Sequence, residues 1–155
     1  RNHDRVVEYR AKEAAMFSEG NIGKAKEMCH SEEFFQLKED VLRMVKNIGK
    51  MNVADIAENV KTFYKETKNL VEKYLNLLEL WYRDVLIYKV SGNEKQLLFQ
   101  REARAVGQQE KALTYEGINK IFEAVRQVRV QLKSNVNPEL SLEMLYVKIR
   151  DYYGG

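Results

Sequence analysis

The stretch 70–90 constrains the fold more than any other part of this chain, because its apolar residues cover most of the circumference of a helix. A helix that is apolar on several sides needs packing partners on several sides. Ser91 and Gly92 follow it as a predicted stop. Charged residues interrupt the run too often for a membrane span. The stretch therefore predicts the central helix of a bundle. Its charged residues are Glu72, Lys73, Glu79, Arg83, Asp84 and Lys89.

Amphipathic segments on both sides of this stretch predict the remaining helices. Their apolar residues recur at steps of three and four, the period of one helical face. The chain has one Pro and 8 Gly in 155 residues, so few breaks are forced, and no segment favours a strand. The predicted fold class is all-α, a helical bundle of about five helices preceded by a short helical unit. The segments are residues 4–17, 22–28, 34–48, 53–64, 113–133 and the run that begins at Pro138.

Two of these helices have predicted caps at their starts. Asn52 stands three residues before Asp55, and Asn137 stands directly before Pro138; both arrangements are typical of helix N-termini. Residues 91–110, rich in Arg, Glu and Gln, are predicted as a loop that includes about one turn of helix. A loop of this length inside a compact domain is often a contact loop.

Three tyrosines lie near the end of the chain. Tyr152 continues the apolar stripe of the last helix and is predicted to lie in the core, with Tyr146 and Tyr153 at its rim. A stacking surface for nucleic-acid bases is the alternative function of such a group.

Residues that carry chemistry are sparse. Cys29 is the only cysteine, and His3 and His30 are far apart, so the sequence offers neither an internal disulfide nor a thiolate metal cluster. No phosphate-binding or dinucleotide-binding glycine motif occurs, and the glycines of residues 20–24 are predicted to form a helix junction. We expect no catalytic residues, no metal, no cofactor and no enzymatic activity. A free thiol suits the reducing cytoplasm, which is the expected location.

Basic residues are dispersed, with one regular group. Arg126, Arg129 and Lys133 stand three and four residues apart and therefore lie on one side of their predicted helix. The pattern is typical of an exposed face opposite the apolar stripe, and a contact with an acidic partner or with DNA phosphates is the alternative. The net charge of +3, from 26 basic and 23 acidic residues, does not by itself indicate nucleic-acid binding.

Three stretches, in this order, carry a resemblance to a known family. They are FSEGNIGKAKEM at 17–28, LELWYRDVLIYKVSGNEKQLLFQRE at 78–102 and AVRQVRVQLKSNVNPELSLEMLYVKIRDYY at 124–153. The first resembles the end of the lid domain of the bacterial DNA polymerase III delta-prime subunit. The others resemble the helices of its collar domain. The gamma/tau subunit of the same clamp loader shares this architecture and is the nearest alternative.

The resemblance implies a domain organisation and a function. Residues 1–30 would be the end of an AAA+ lid domain and residues 31–155 the collar domain, in a longer protein whose ATPase module lies outside this sequence. The implied function is a non-catalytic oligomerisation module that helps to assemble the pentamer that loads the sliding clamp in DNA replication. Lys24 stands where ATP-hydrolysing relatives have a sensor arginine that reaches the nucleotide, although delta-prime-like subunits generally do not hydrolyse ATP.

The resemblance also implies partners. These are the other clamp-loader subunits, gamma/tau and delta, reached through collar contacts; DNA is contacted only indirectly, and no membrane is involved. Residues 91–110 and the exposed sides of the last two helices are the expected contact segments.

A nucleic-acid-binding helical module is the second hypothesis. It uses dispersed basic residues and predicts binding that weakens steeply with salt, because phosphate contacts release counterions. Its candidate residues are Arg101, Arg104, Arg126, Arg129 and Lys133.

Overall fold

Helices are the only regular elements in the computed structural model, which describes residues 32–134 and 136–153. The predicted all-α class is confirmed. Five long helices correspond to the predicted bundle, and a further helix of 10 residues follows the central one. The helices are α1 (Glu32–Asn47), α2 (Val53–Thr67), α3 (Val71–Ser91), α4 (Ala103–Ala112), α5 (Tyr115–Lys133) and α6 (Pro138–Tyr152).

Residues 40–155 form a compact unit, and the packing described below is that of this unit. The helices predicted at 4–17 and 22–28 lie outside the described residues, so the lid remnant at 1–30 stays a prediction. None of the described helices is long and apolar enough to cross a membrane. Within the same described residues, no group of three or more His, Cys, Asp or Glu side chains could hold a metal ion.

Three helix ends form where the sequence predicts them. Asn52 Oδ1 accepts a hydrogen bond from the Asp55 N–H at 2.8 Å, and the Asp55 carboxylate accepts one from the Asn52 N–H at 3.2 Å. This capping box starts α2. Asn137 starts α6 by accepting from the Leu140 N–H at 3.2 Å. Helix α3 ends at Ser91, and Gly92 caps it with a φ of 64°, in the left-handed region that other residues adopt at a cost.

Helix α3 is the central helix, as predicted. It packs against α4 and α5, and its tyrosines reach α6 and the residue that follows it. Burial on several sides explains why its apolar residues are not confined to one stripe. The buried residues of α3 are Val71, Tyr74, Leu75, Leu77, Leu78, Trp81, Tyr82, Asp84 and Val85.

The segment after α3 is more helical than predicted. Two short 3-10 helices, Glu94–Gln96 and Gln100–Glu102, lead into the three-turn helix α4 where the sequence predicts mostly loop. Only Val106 and Gln109 of α4 are buried. One of these two buried positions is a polar glutamine, so the sequence of α4 has no row of apolar residues from which an amphipathic helix can be predicted.

The side chain of Gln109 links α1, α3 and α4 with the end of α6. Its Oε1 accepts hydrogen bonds from the Trp81 indole N–H at 2.8 Å and from the Tyr153 hydroxyl at 2.7 Å, and its Nε2 donates to the Val45 carbonyl. Since an indole N–H can only donate, the amide oxygen must face Trp81. Because Tyr153 donates its proton to Gln109, Tyr82 is the donor in the 2.8 Å bond between the two hydroxyls.

Asp84 fixes the 92–102 segment against α3. Its carboxylate is fully buried and accepts hydrogen bonds from the backbone N–H groups of Leu98 at 3.0 Å and Phe99 at 2.8 Å. The Phe99 ring packs edge-on against Trp81, with centroids 5.5 Å apart. One buried carboxylate therefore orients the backbone of a segment that has no long helix of its own.

The tyrosines at the end of the chain differ from the prediction. Tyr146 is fully buried and forms a hydrogen bond with the Tyr74 hydroxyl, so its predicted place at the rim is wrong. Tyr152, predicted in the core, is only half-buried. A buried tyrosine needs a partner for its hydroxyl, and periodicity cannot show that α3 supplies one to Tyr146. The stripe of Leu142, Leu145 and Ile149 is buried as predicted.

The buried tyrosines predict a loss of stability at alkaline pH. Burial raises the pKa of Tyr74, Tyr82, Tyr146 and Tyr153 above the ordinary value of 10.0, so the unfolded chain releases these protons first. Below about pH 10 their contribution to stability is complete. Above it, the free energy of unfolding falls by ~1.4 kcal/mol per pH unit for each of these tyrosines. We expect Tm to fall steeply only above about pH 10, with tyrosinate absorbance appearing together with unfolding. Ionisation of these tyrosines in the folded chain would contradict this account.

Replacing Asp84 with Ala tests the role of the buried carboxylate. The N–H groups of Leu98 and Phe99 lose their acceptor, and we expect D84A to lower the free energy of unfolding by about 3 kcal/mol. As a control, E58A removes an exposed carboxylate of α2 and should change it by less than about 0.5 kcal/mol. Urea unfolding followed by circular dichroism measures both variants. Equal stability of D84A and E58A would show that Asp84 does not hold the segment.

Candidate oligomerisation surface

Helices α5 and α6 form an antiparallel pair whose outer side is the candidate surface. The beginning of α5 meets the end of α6, since a Cβ placed on Gly117 would lie 3.6 Å from the Cβ of Tyr152. The buried sides of the pair carry Ile121, Val125 and Ile149. Side chains of both helices line a groove between them.

This α5–α6 groove is lined by polar side chains with an excess of positive charge. It has a volume of about 460 Å³. Three cations and one carboxylate contribute to it, so the formal charge of its lining is positive. The lining residues are Lys120, Glu123, Ala124, Arg126 and Gln127 from α5 with Lys148 and Tyr152 from α6.

Exposed apolar side chains lie at the opposite end of the helix pair, near the turn that joins α5 to α6. Leu140 and Met144 are 51% and 50% exposed and stand four residues apart, on one face of α6. Val130 in α5 and Val136 in the turn are exposed as well. We call Val130, Val136, Leu140 and Met144 the apolar end. Large apolar side chains grouped at one end of an element are a common mark of a protein contact.

Arg129 faces α3, away from the groove. Its guanidinium forms ion pairs with Glu72 at 2.6 Å and with Glu79, and it donates to Asn76 Oδ1 at 2.8 Å. The three acceptors span two turns of α3. The prediction that Arg126, Arg129 and Lys133 form one exposed face is therefore wrong for Arg129, because the acidic side of α3 lies within its reach.

The remaining candidate residues do not share one site. Arg101 and Arg104 are exposed at the start of α4, and Lys133 is exposed in the last turn of α5. Of the five basic residues predicted for nucleic-acid binding, only Arg126 lines the α5–α6 groove. Lys24, the predicted sensor position, lies outside the described residues.

The apolar end was missed among the site residues although the sequence holds a signal for it. Leu140 and Met144 keep an i, i+4 spacing that is out of phase with the buried stripe of Leu142, Leu145 and Ile149. A second apolar row on one helix indicates a second contact. The wider expectation, that the exposed sides of the last two helices are contact segments, stays a prediction.

Comparison with known families assigns the chain to one of them. Residues 32–151 match the model of the family described as DNA polymerase III, delta subunit, C terminal. The match begins at the first residue of α1 and ends in the last turn of α6, so it takes in the whole helical bundle. The chain belongs to this family.

A curated relative agrees with the family match. The DNA polymerase III subunit delta' of Bacillus subtilis (strain 168) is 27% identical over 134 residues, which are 84% of this chain and 40% of the relative. The chain thus spans about two fifths of the length of the relative it matches. The predicted resemblance to the delta-prime C-terminal region is confirmed. No solved structure matches the chain.

Removal of the Arg129 guanidinium tests its role between α3 and α5. The pairs are partly exposed, so we expect R129M to lower the free energy of unfolding by only about 1 kcal/mol. R129K should recover part of this, because an ammonium cannot match the forked geometry. As a control, K120M removes only the 3.3 Å pair with exposed Glu116 and should change stability by less than about 0.5 kcal/mol. Urea unfolding measures the series, and equal values for R129M and K120M would contradict the assignment.

Proposed function

We propose that this chain is a non-catalytic oligomerisation module of the DNA polymerase III clamp loader. In this proposal it helps to assemble the pentamer that loads the sliding clamp, through contacts of α5 and α6 with neighbouring subunits. Gamma/tau and delta are the proposed partners, DNA is reached only through the complex, and the site of action is the cytoplasm. The family match and the delta' relative support a role in DNA polymerase III.

The exposure of Leu140 and Met144 is the observation that carries the proposal. Both residues stand on α6, whose opposite side is buried in the core. Fully burying an exposed Leu or Met side chain gains about 1.5–3 kcal/mol, and Leu140 and Met144, which are half exposed in the chain alone, gain about half of this each in a contact. Two such side chains on one helical face can therefore anchor a partner.

The domain division is part of the same proposal. Residues 1–30 would end the lid domain and residues 31–155 would form the collar, with the helices α1 to α6 as its body. Lys24 would have no catalytic task in this arrangement, since the proposed role of the chain is assembly.

Nucleic-acid binding has weaker support. Arg129, one of its five candidate residues, is already neutralised by Glu72 and Glu79. Arg104 and Arg126 stand on different helices, and only Arg126 borders the groove. A phosphate backbone is bound by convergent cations, and these cations do not converge.

A matched pair of variants tests the proposal. L140D places a charge at the apolar end, and V53D places the same charge at a residue of α2 that is 55% exposed. Both sites lie in the first turn of a helix, where an Asp favours the dipole, so both variants should fold. We expect L140D to weaken capture of gamma/tau or delta about tenfold or more, and V53D to leave it unchanged.

The same pull-down includes primed DNA as a parallel bait. Capture of either subunit with no DNA retained supports the proposal. If the wild-type chain captures no subunit but is retained on DNA, with retention lost as salt rises, the nucleic-acid alternative replaces it. Equal capture by L140D and V53D would place the contact on another face.

A further inference from the structure

The cations of the α5–α6 groove are largely without internal partners. Among the described residues, no ion pair engages Arg126 or Lys148, and Lys120 pairs only with exposed Glu116, at 3.3 Å. Elsewhere in the fold the cations Arg43, Lys89 and Arg129 are paired with nearby acids. The groove therefore carries positive charge that the fold itself does not use.

The groove and the apolar end lie along the same two rows of side chains. On α6, Tyr152, Lys148, Met144 and Leu140 follow one another at steps of four residues. On α5, Val130 lies three residues beyond Gln127, which lines the groove. Residues three or four apart are neighbours on a helix surface. One continuous face is therefore basic near Lys148 and apolar near Leu140.

We infer that this face binds an acidic amphipathic segment of a partner protein. Carboxylates of the segment lie against Lys120, Arg126 and Lys148, and its apolar side chains cover Leu140 and Met144. The inference rests on the proposed function, because it names the chemistry of the segment that a neighbouring subunit presents. A segment with acids at one end and apolar residues at the other complements both parts of the face.

A protein segment fits this face better than a phosphate backbone does. The carboxylate of Glu123 lies among the cations, and a protein segment can keep its few carboxylates away from it, whereas every nucleotide of a nucleic-acid backbone carries a phosphate. A nucleic acid gains nothing from covering Leu140 and Met144 with its charged backbone, whereas an amphipathic segment buries them. The chain as a whole carries a net charge of only +3, well short of a strongly basic nucleic-acid-binding domain.

Charge reversal within and outside the groove tests the inference. The double variant R126E/K148E is compared with K61E/K73E, which changes the net charge equally at exposed lysines of α2 and α3. Capture of gamma/tau or delta should weaken about tenfold in the groove variant and less than about twofold in the control. The difference in capture between the wild-type chain and the groove variant should shrink as the salt concentration rises, because salt screens charges in a groove that is open to solvent.

A second readout does not depend on those subunits. A synthetic helical peptide with glutamates at one end and two leucines at the other is titrated into the intact chain, with single-stranded DNA in a parallel titration, and amide shifts are followed by NMR. Shifts confined to α5 and α6 that R126E/K148E abolishes support the inference. Absence of peptide binding, or tighter binding of the DNA at the same residues, overturns it.

The two proposals fail in distinguishable ways. If L140D loses capture while R126E/K148E behaves like K61E/K73E, the acidic-segment inference is wrong and the oligomerisation module stands. If no subunit is captured but the peptide binds the groove, the proposed assembly fails and the site remains.

Discussion

The hydrogen bonds of Gln109 hold the bundle in a single arrangement. One amide receives protons from Trp81 and Tyr153 and donates one to the Val45 carbonyl, so four parts of the fold meet at it. A buried amide is costly unless these bonds are made. Apolar packing around α3 would tolerate small shifts of α4, whereas these directed bonds do not. The end of the chain is fixed by the same network, through Tyr153 and Tyr82.

This internal order decides which side chains remain for a partner. Arg129 is held against α3 by Glu72 and Glu79, and Tyr146 is turned inward to Tyr74. What α5 and α6 leave outside is a basic groove and an apolar end on one face. The fold thus separates cations that stabilise it from cations, such as Arg126 and Lys148, that are open to another molecule.

The sequence predicts a helix well where residues of that helix alone determine its ends and its buried side. The caps at Asn52 and Asn137, the stop at Gly92 and the wide apolar surface of α3 are all local features, and all are found. Helix α4 is not predicted by periodicity because only Val106 and Gln109 contact the core, and Gln109 counts as polar in any periodic pattern. The ion pairs of Arg129 cannot be predicted for a related reason, because its partners stand 50 or more residues away in the sequence. Residues 91–110 and the exposed sides of the last two helices stay the predicted contact segments. The apolar end could not be singled out within them, because the sequence alone does not show which row of α6 is buried.

Oxidative footprinting of Met144 tests the central claim most directly. The chain is exposed to hydroxyl radicals alone and after assembly with gamma/tau and delta, and methionine oxidation is read by mass spectrometry. Met144 is half exposed on the proposed contact face, and Met51, also partly exposed, lies between α1 and α2. We predict that assembly lowers the oxidation rate of Met144 several-fold and leaves that of Met51 unchanged. An unchanged rate at Met144 in the assembled complex would contradict the assignment of α5 and α6 as the contact.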